Sequence, residues 1–203
     1  LIYIFADLGD TSKLVNYSKR AIDLFPNQPT VYLTYGIGLS QQSKNEDAIE
    51  YLKLGKDLVL DNPSLKNQFY SSLGDVHHAS KNNQASDQNY DKALSIDPNN
   101  IIVLNNYSYY LSLRNEDLEK AKRMSAKSNN LAPNQSSFQD TYAWILFQLK
   151  EYEEADVWIS KAINNSAKPG GVLLEHKGDI LYHLGDVEGA IKYWEKAKII
   201  GGA

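Results

Sequence analysis

The chain has 203 residues, 42% of them hydrophobic and 23% charged, with a formal net charge of −4 and no cysteine. That balance belongs to a folded chain with a core to bury, not to a disordered one. It supplies no basic stripe to neutralise phosphates, which argues against a nucleic-acid partner, and no thiol for disulfides, thiolate metal ligation or nucleophilic attack.

In chain order, Leu1-Ile2-Tyr3-Ile4-Phe5 has neither a basic leader nor a small-residue cleavage site and reads as the middle of a helix. The expectation is that the chain was cut from a longer protein. Helix stops then recur at Leu24-Phe25-Pro26-Asn27, Asp61-Asn62-Pro63, Ile96-Asp97-Pro98-Asn99 and Leu131-Ala132-Pro133-Asn134, because proline cannot continue the helical hydrogen-bond ladder. Between the stops, apolar residues at i, i+3, i+4 and i+7 mark amphipathic helices. They are expected near 31–43, 46–60, 66–80, 84–96, 101–114, 117–131, 136–149, 152–165, 171–184 and 187–199. Polar turns join these helices in pairs: Leu8-Gly9-Asp10-Thr11, Asn115-Glu116-Asp117 and Leu184-Gly185-Asp186-Val187-Glu188. Glycine ends the first helix of a pair, and an acidic residue favours the N-terminus of the second. The longest apolar runs, such as Ile101 to Leu104, fall far short of the ~20 residues of a membrane helix, so direct membrane insertion of this segment is not expected.

One internal pattern repeats between the stops. A bulky residue is followed by a Leu-Gly-like pair three and four later and by another bulky residue after that. Tyr70, Leu73, Gly74 and His77 carry it, then Ser86, Tyr90, Ala93 and Pro98. The same series runs through Tyr32, Tyr35, Gly36, Leu39, Ala48, Leu52 and Gly55, and through Leu104, Tyr107, Ser108, Leu111, Ala121, Ser125, Ser128 and Pro133. It continues in Gln139, Tyr142, Ala143, Leu146, Ala155, Ile159 and Ala162, and in Leu174, Lys177, Gly178, Leu181, Ala190, Trp194 and Ala197. Small residues let paired helices approach closely and large ones fill the gaps around them. A period near 34 residues with this signature resembles the tetratricopeptide repeat (TPR). The resemblance covers the whole chain and implies an all-α fold, a right-handed α–α solenoid of about five and a half helix-turn-helix repeats in one domain, 1–203. The units are placed at 1–28 (entered midway), 29–66, 67–100, 101–135, 136–170 and 171–203. The second is four residues too long, and a one-turn extension of its second helix, Glu46 to about Leu60, is expected to absorb the excess.

TPR proteins resemble one another in binding a peptide or partner protein in a concave groove lined by the first helix of each pair. The groove-facing positions, those between the packing residues, are Leu33, Ile37, Ser40, Ser71, Asp75, His78, Asn105, Tyr109, Ser112, Asp140, Trp144, Phe147, Gln148, Glu175, Asp179, Tyr182 and His183. Trp144 and Phe147, three apart, can form one apolar platform. Asp140, Glu175 and Asp179 would surround it with negative potential and favour a partner carrying Lys or Arg. With no Lys or Arg at these positions, the clamp that some TPR domains use for acidic chaperone tails is not expected. His176, Asp179 and His183 share a helix face at i, i+3 and i+7, but they read as solvated groove residues and not as metal ligands. His77 stands where the family prefers tyrosine and reads as a packed ring; His78 reads as exposed.

Gly170-Gly171 is a turn and not a phosphate cradle, since no strand precedes it. Acidic runs such as Glu46-Asp47 and Glu151-Tyr152-Glu153-Glu154 open second helices as solvated surface. No catalytic constellation, cofactor site or metal site is expected, which leaves a non-catalytic binding scaffold. The alternative is a structural component of a larger assembly, self-associating through terminal repeats, because the chain ends Lys198-Ile199-Ile200-Gly201-Gly202-Ala203 without a polar capping helix. Asn106 to Leu111, Leu118 to Ala121, Asp140 to Trp144, Glu175 to Leu181 and Tyr193-Trp194 resemble a subgroup of bacterial TPR proteins attached to the cell envelope. That implies a periplasmic or outer-membrane-anchored location, with the cytoplasm as the alternative.

Overall fold

The structure, a computed structural model, describes residues 9–201. The reading of Leu1 to Phe5 as helix interior lies outside the described residues, as does the end of the chain at 202–203. The described residues form eleven helices and no strand: α1 (Thr11–Leu24), α2 (Pro29–Gln41), α3 (Asn45–Asp57), α4 (Pro63–Ala79), α5 (Asn83–Ile96), α6 (Ile101–Arg114), α7 (Leu118–Leu131), α8 (Ser136–Gln148), α9 (Tyr152–Asn165), α10 (Gly171–His183) and α11 (Val187–Ile200). The contacts gather into two compact units, Leu1–Pro98 and Asn99–Ala203. In the first, α2 and α4 form hairpins with α3 and α5, and α1 packs on α2. In the second, α6, α8 and α10 pair with α7, α9 and α11, and each of these first helices touches the next.

Close approach at small residues makes each hairpin. A Cβ added at Gly74 would come 2.6 Å from the Tyr90 ring, one at Gly178 2.5 Å from the Trp194 indole, and one at Gly36 2.5 Å from Leu52 Cγ. The missing side chain is thus the slot into which the partner helix inserts its largest group. Ala48, Ala93, Ala121, Ala143, Ala155 and Ala190 are fully buried at equivalent places. Around them lie Leu33, Tyr35, Leu39, Leu52, Phe69 and Leu73 in the first unit, and Tyr142, Leu146, Ile159, Leu173 and Ile180 in the second. One packing position carries a charge. Lys177 is buried, and its ammonium donates to Asp156 at 2.5 Å and to Ser160 Oγ at 2.9 Å across the turn from α9 to α10.

The hairpin turns carry the period in their backbone. Gly9, Ser43, Lys81, Asn115, Lys150 and Gly185 all sit in the left-handed region, at φ between 55° and 87°. The expectation that glycine ends the first helix therefore holds at Gly9 and Gly185 and fails at the other four; Asn115 tolerates the conformation, while at Ser43, Lys81 and Lys150 the turn imposes it on a residue that disfavours it. These positions also place the four extra residues. The interval from Ser43 to Lys81 is the long one, yet α3 stops at Asp57. The extension expected in that helix is instead in α4, which has 17 residues, after a linker that leaves Leu60 95% exposed. Asn62-Pro63 is a start and not a stop. The Asn62 side chain accepts from Leu65 N at 2.9 Å, and Pro63 occupies the first helical position, where its missing N–H removes no bond.

His77 is buried as a packed ring, with its Nδ1 lacking a hydrogen-bond partner. Burial first, and the Lys53 charge second, hold its pKa below the usual value of 6.5. The unfolded chain then binds the extra proton as pH falls, so this contribution is full above about pH 6.5 and declines below it. Replacing His77 with Phe is expected to flatten the loss of stability between about pH 6.5 and 5, followed by urea denaturation at each pH. Ala155→Leu and Gly178→Ala are each expected to lower stability by roughly 1–3 kcal/mol through overpacking. An unchanged denaturation midpoint for both would put the wrong face inside.

Candidate functional site

The helices α6, α8 and α10 form one continuous row in the second unit, and most of the positions expected to meet a partner lie on them. Asp140 begins the row of interactions on α8. Its Oδ1 lies 2.8 Å from Nδ1 of His176, on α10. His176 is itself buried, and its ring stacks on the Trp144 indole at 4.1 Å between centroids and 15° between planes. Trp144 also stacks with Phe147 at 4.8 Å and 14°, so the two rings three residues apart do form one platform. Phe147 meets His183 edge-on at 5.1 Å, and His183 stacks with Tyr152 at 4.8 Å. The result is a chain of five rings running along α8, α10 and the start of α9. Tyr109, on α6, is raised above the usual phenol pKa by burial first and by the Asp140 charge second, which places it beside this row.

Several expected positions have other roles. Asn105 is buried, as are Leu33 and Ser112, because the first helices pack against one another as well as against their hairpin partners. None of the three presents its side chain to a partner. Asp179 accepts from the Trp194 indole N–H at 2.9 Å, and Asp75 accepts from the Tyr90 hydroxyl at 2.5 Å. In both hairpins the aromatic ring seated over glycine is tied to the carboxylate one residue further on. These two acids lock a hairpin as well as bearing charge. His176 is the reverse case: expected as a solvated groove residue, it is buried between an acid and an indole. His78 is half-buried where exposure was expected. Gln148 and Glu175 are half-buried, and Tyr182 is exposed, 5.8 Å from the Trp194 ring. Leu33, Ile37, Ser40, Ser71, Asp75 and His78 belong to the first unit and the remaining expected positions to the second. Among the described residues, no group of three or more His, Cys, Asp or Glu is arranged to hold a metal ion, and no helix is long and apolar enough to cross a membrane.

Tyr152 and His176 were not among the expected partner-facing residues. Tyr152 opens a second helix, so a rule confined to first helices passes over it. The spacing of His176 from His183 was visible, but its approach to Trp144 depends on how far apart α8 and α10 sit.

Comparison with known proteins agrees with this architecture. Family models described as tetratricopeptide repeat match residues 68–100 and 89–123. The type IV pilus assembly protein PilF of Pseudomonas aeruginosa is 27% identical over 165 residues, covering 81% of this chain. The match spans 64% of that relative's length. A solved structure of Pseudomonas aeruginosa PilF superposes with a TM-score of 0.74 at 22% identity, over 87% of this chain and 78% of that one. A tetratricopeptide repeat protein from Parabacteroides merdae gives 0.77 at 15% identity, over 100% and 78%. YrrB, described as a TPR protein with an unusual peptide-binding site, gives 0.66 at 16% identity, over 91% and 92%.

The hydrogen bond under each seated ring is open to test. Asp179→Ala is expected to lower stability by about 0.5–1.5 kcal/mol, the usual net worth of such a bond, while Asp179→Asn, which keeps an acceptor, retains most of it. Equal denaturation midpoints for the two variants would show that the Trp194 bond contributes nothing.

Proposed function

We propose that this tetratricopeptide-repeat protein holds a peptide or partner protein on the face built by α6, α8 and α10. Membership of the family brings the general role, a scaffold for protein–protein contact and in general a non-catalytic one; the choice of face is the proposal. The observation that carries it is the stacked pair Trp144 and Phe147. Both rings are half-buried on a first helix: Trp144 is not among the residues of the core around Tyr142, Ala143 and Leu146, and Phe147 packs against the edge of that core. Large aromatic rings held rigid by their neighbours and rimmed by polar groups are the usual anchors of an interface, since little side-chain entropy remains to be lost on binding. Tyr109 extends the same proposal along α6; the expected positions Asp75 and His78 belong to the first unit and are proposed there by themselves.

Trp144→Ala is expected to weaken binding of a partner captured with the full-length protein by ~2 kcal/mol or more, with helical content unchanged by circular dichroism. A partner bound equally well by the variant would move the site to another surface.

A second reading has its own observation. On α11, Val187, Ile191, Ile199 and Ile200 are 49%, 47%, 84% and 48% exposed. Exposed apolar residues on α11, with Val187 and Ile191 one turn apart on one side, support assembly of the chain into a larger structure, and the likeness to a pilus assembly protein supports a bacterial envelope setting, periplasmic or outer-membrane-anchored. Sedimentation separates the two readings. Assembly through α11 requires concentration-dependent self-association that is abolished by Ile191→Lys, whereas face binding does not.

A further inference from the structure

Beside the aromatic row lies an open recess of about 540 Å³, formed where the turns leading into α8 and α10 come together. Its walls include Asn134, Ser137, Asn165, Ser166 and Val172, and Asp140 is the only charged residue among those that line it. No lysine or arginine reaches in.

Three acids were candidates for meeting a partner's positive charge, and the structure separates them. Asp179, bonded to Trp194, does not line the recess. Glu175 does not line the recess. Asp140 has one oxygen, Oδ1, fixed by His176, and no described residue donates to its Oδ2. The buried imidazole, locked against Trp144, holds this carboxylate in one orientation. Half-buried and opposed by no cation of the recess, the free oxygen is a pre-oriented acceptor for a charge-assisted hydrogen bond. The other walls suit a peptide main chain. Asn and Ser side chains can donate or accept, and the first turns of α8 and α10 have no side-chain cap, so N–H groups there other than that of Phe138, which donates to Gln135 O, are available to carbonyl oxygens.

Resting on the reading of α6, α8 and α10 as the binding face, we infer that Asp140 is the specificity-determining residue for a lysine or arginine of the partner. The partner is an extended segment that places this basic side chain in the recess and an apolar side chain one helical turn along, against Trp144 and Phe147. An acidic segment would set its charge against Asp140 with no basic group in the recess to offset it.

The probe is a random 12-residue peptide library displayed on phage, panned in parallel against the parent protein, Asp140→Asn and Trp144→Ala. Asparagine keeps an acceptor for His176 and removes only the charge; an unchanged melting curve confirms that the fold is intact. Peptides selected on the parent are expected to carry a basic residue near an apolar one. Their affinity should fall roughly tenfold with Asp140→Asn, and equally when arginine is replaced by citrulline or lysine by norleucine in the synthetic peptide, with little further loss when both changes are made. The citrulline and norleucine arms leave the protein untouched. Peptides that lose affinity for Trp144→Ala, yet are indifferent to Asp140→Asn and to citrulline or norleucine, would overturn this inference and leave the binding face standing. Selection of acidic peptides would overturn it as well. If no peptide is selected, or all bind Trp144→Ala as well as the parent, both this inference and the choice of face fall.

Discussion

Two helices can lie against each other only as closely as the side chains between them permit, and in this chain that limit is set by the absence of a Cβ or the presence of a single methyl. Gly74 and Gly178 each leave a slot filled by a ring from the returning helix, Tyr90 or Trp194, and in both the ring's polar atom is bonded to the acid next to the glycine. The slot, the ring and the acid behave as one device. Widen the slot and the ring loses its contacts; fill it and the ring must leave its hydrogen bond. The hairpin at Gly36 keeps the slot but fills it with Leu52, so in these three hairpins the approach is fixed locally, before any packing between repeats. That is how, within each unit, such small cores hold successive first helices in contact.

The fold was legible because this constraint writes itself into residue type at fixed spacing. Small residues at Gly36, Gly74, Ala143 and Gly178, each followed by a second small residue on the return helix, announce the hairpins without any reference to tertiary contact. What the pattern did not reveal was where an insertion would be absorbed. Lengthening α3 by a turn and lengthening α4 by a turn preserve the same apolar periodicity. The decision fell to capping: Asn62 and Pro63 together make a helix start that outweighs their appearance as a stop. The left-handed turn residues tell a similar story. Ser43, Lys81 and Lys150 carry no sequence mark of a positive φ, because the turn length and the packed helices on either side dictate the conformation.

The candidate site was legible only in part, for a physical reason. Facing a partner was read from position along one helix, whereas exposure depends on two neighbours, the hairpin partner and the next first helix. Trp144 and Phe147 lie where a single helix wheel puts them. Asn105, on a comparable position of α6, is buried instead. His176 was misread in the opposite sense. A histidine among polar residues suggests water, but here the ring is covered by an indole on one helix and held by an acid four residues before that indole. No spacing within α10 could have shown it.

That arrangement changes what the aromatic row can do. Had Trp144 stood free, its ring would have been mobile and ordering it would have opposed binding. Stacked between neighbours on α8 and α10, it is already in place, and the orientation of Asp140 follows from the same histidine. One residue therefore prepares both the apolar and the charged part of the face, through stacking in one direction and a hydrogen bond in the other. The coupling runs between adjacent repeats, since Asp140 and Trp144 lie on α8 and His176 on α10. The spacing between repeats, set by small residues inside the hairpins, thereby becomes the spacing between the groups of the proposed binding face. A change in hairpin packing at Gly178 would shift α10 against α8 and separate His176 from both of its contacts. Packing and the proposed recognition in this chain depend on the same close approach.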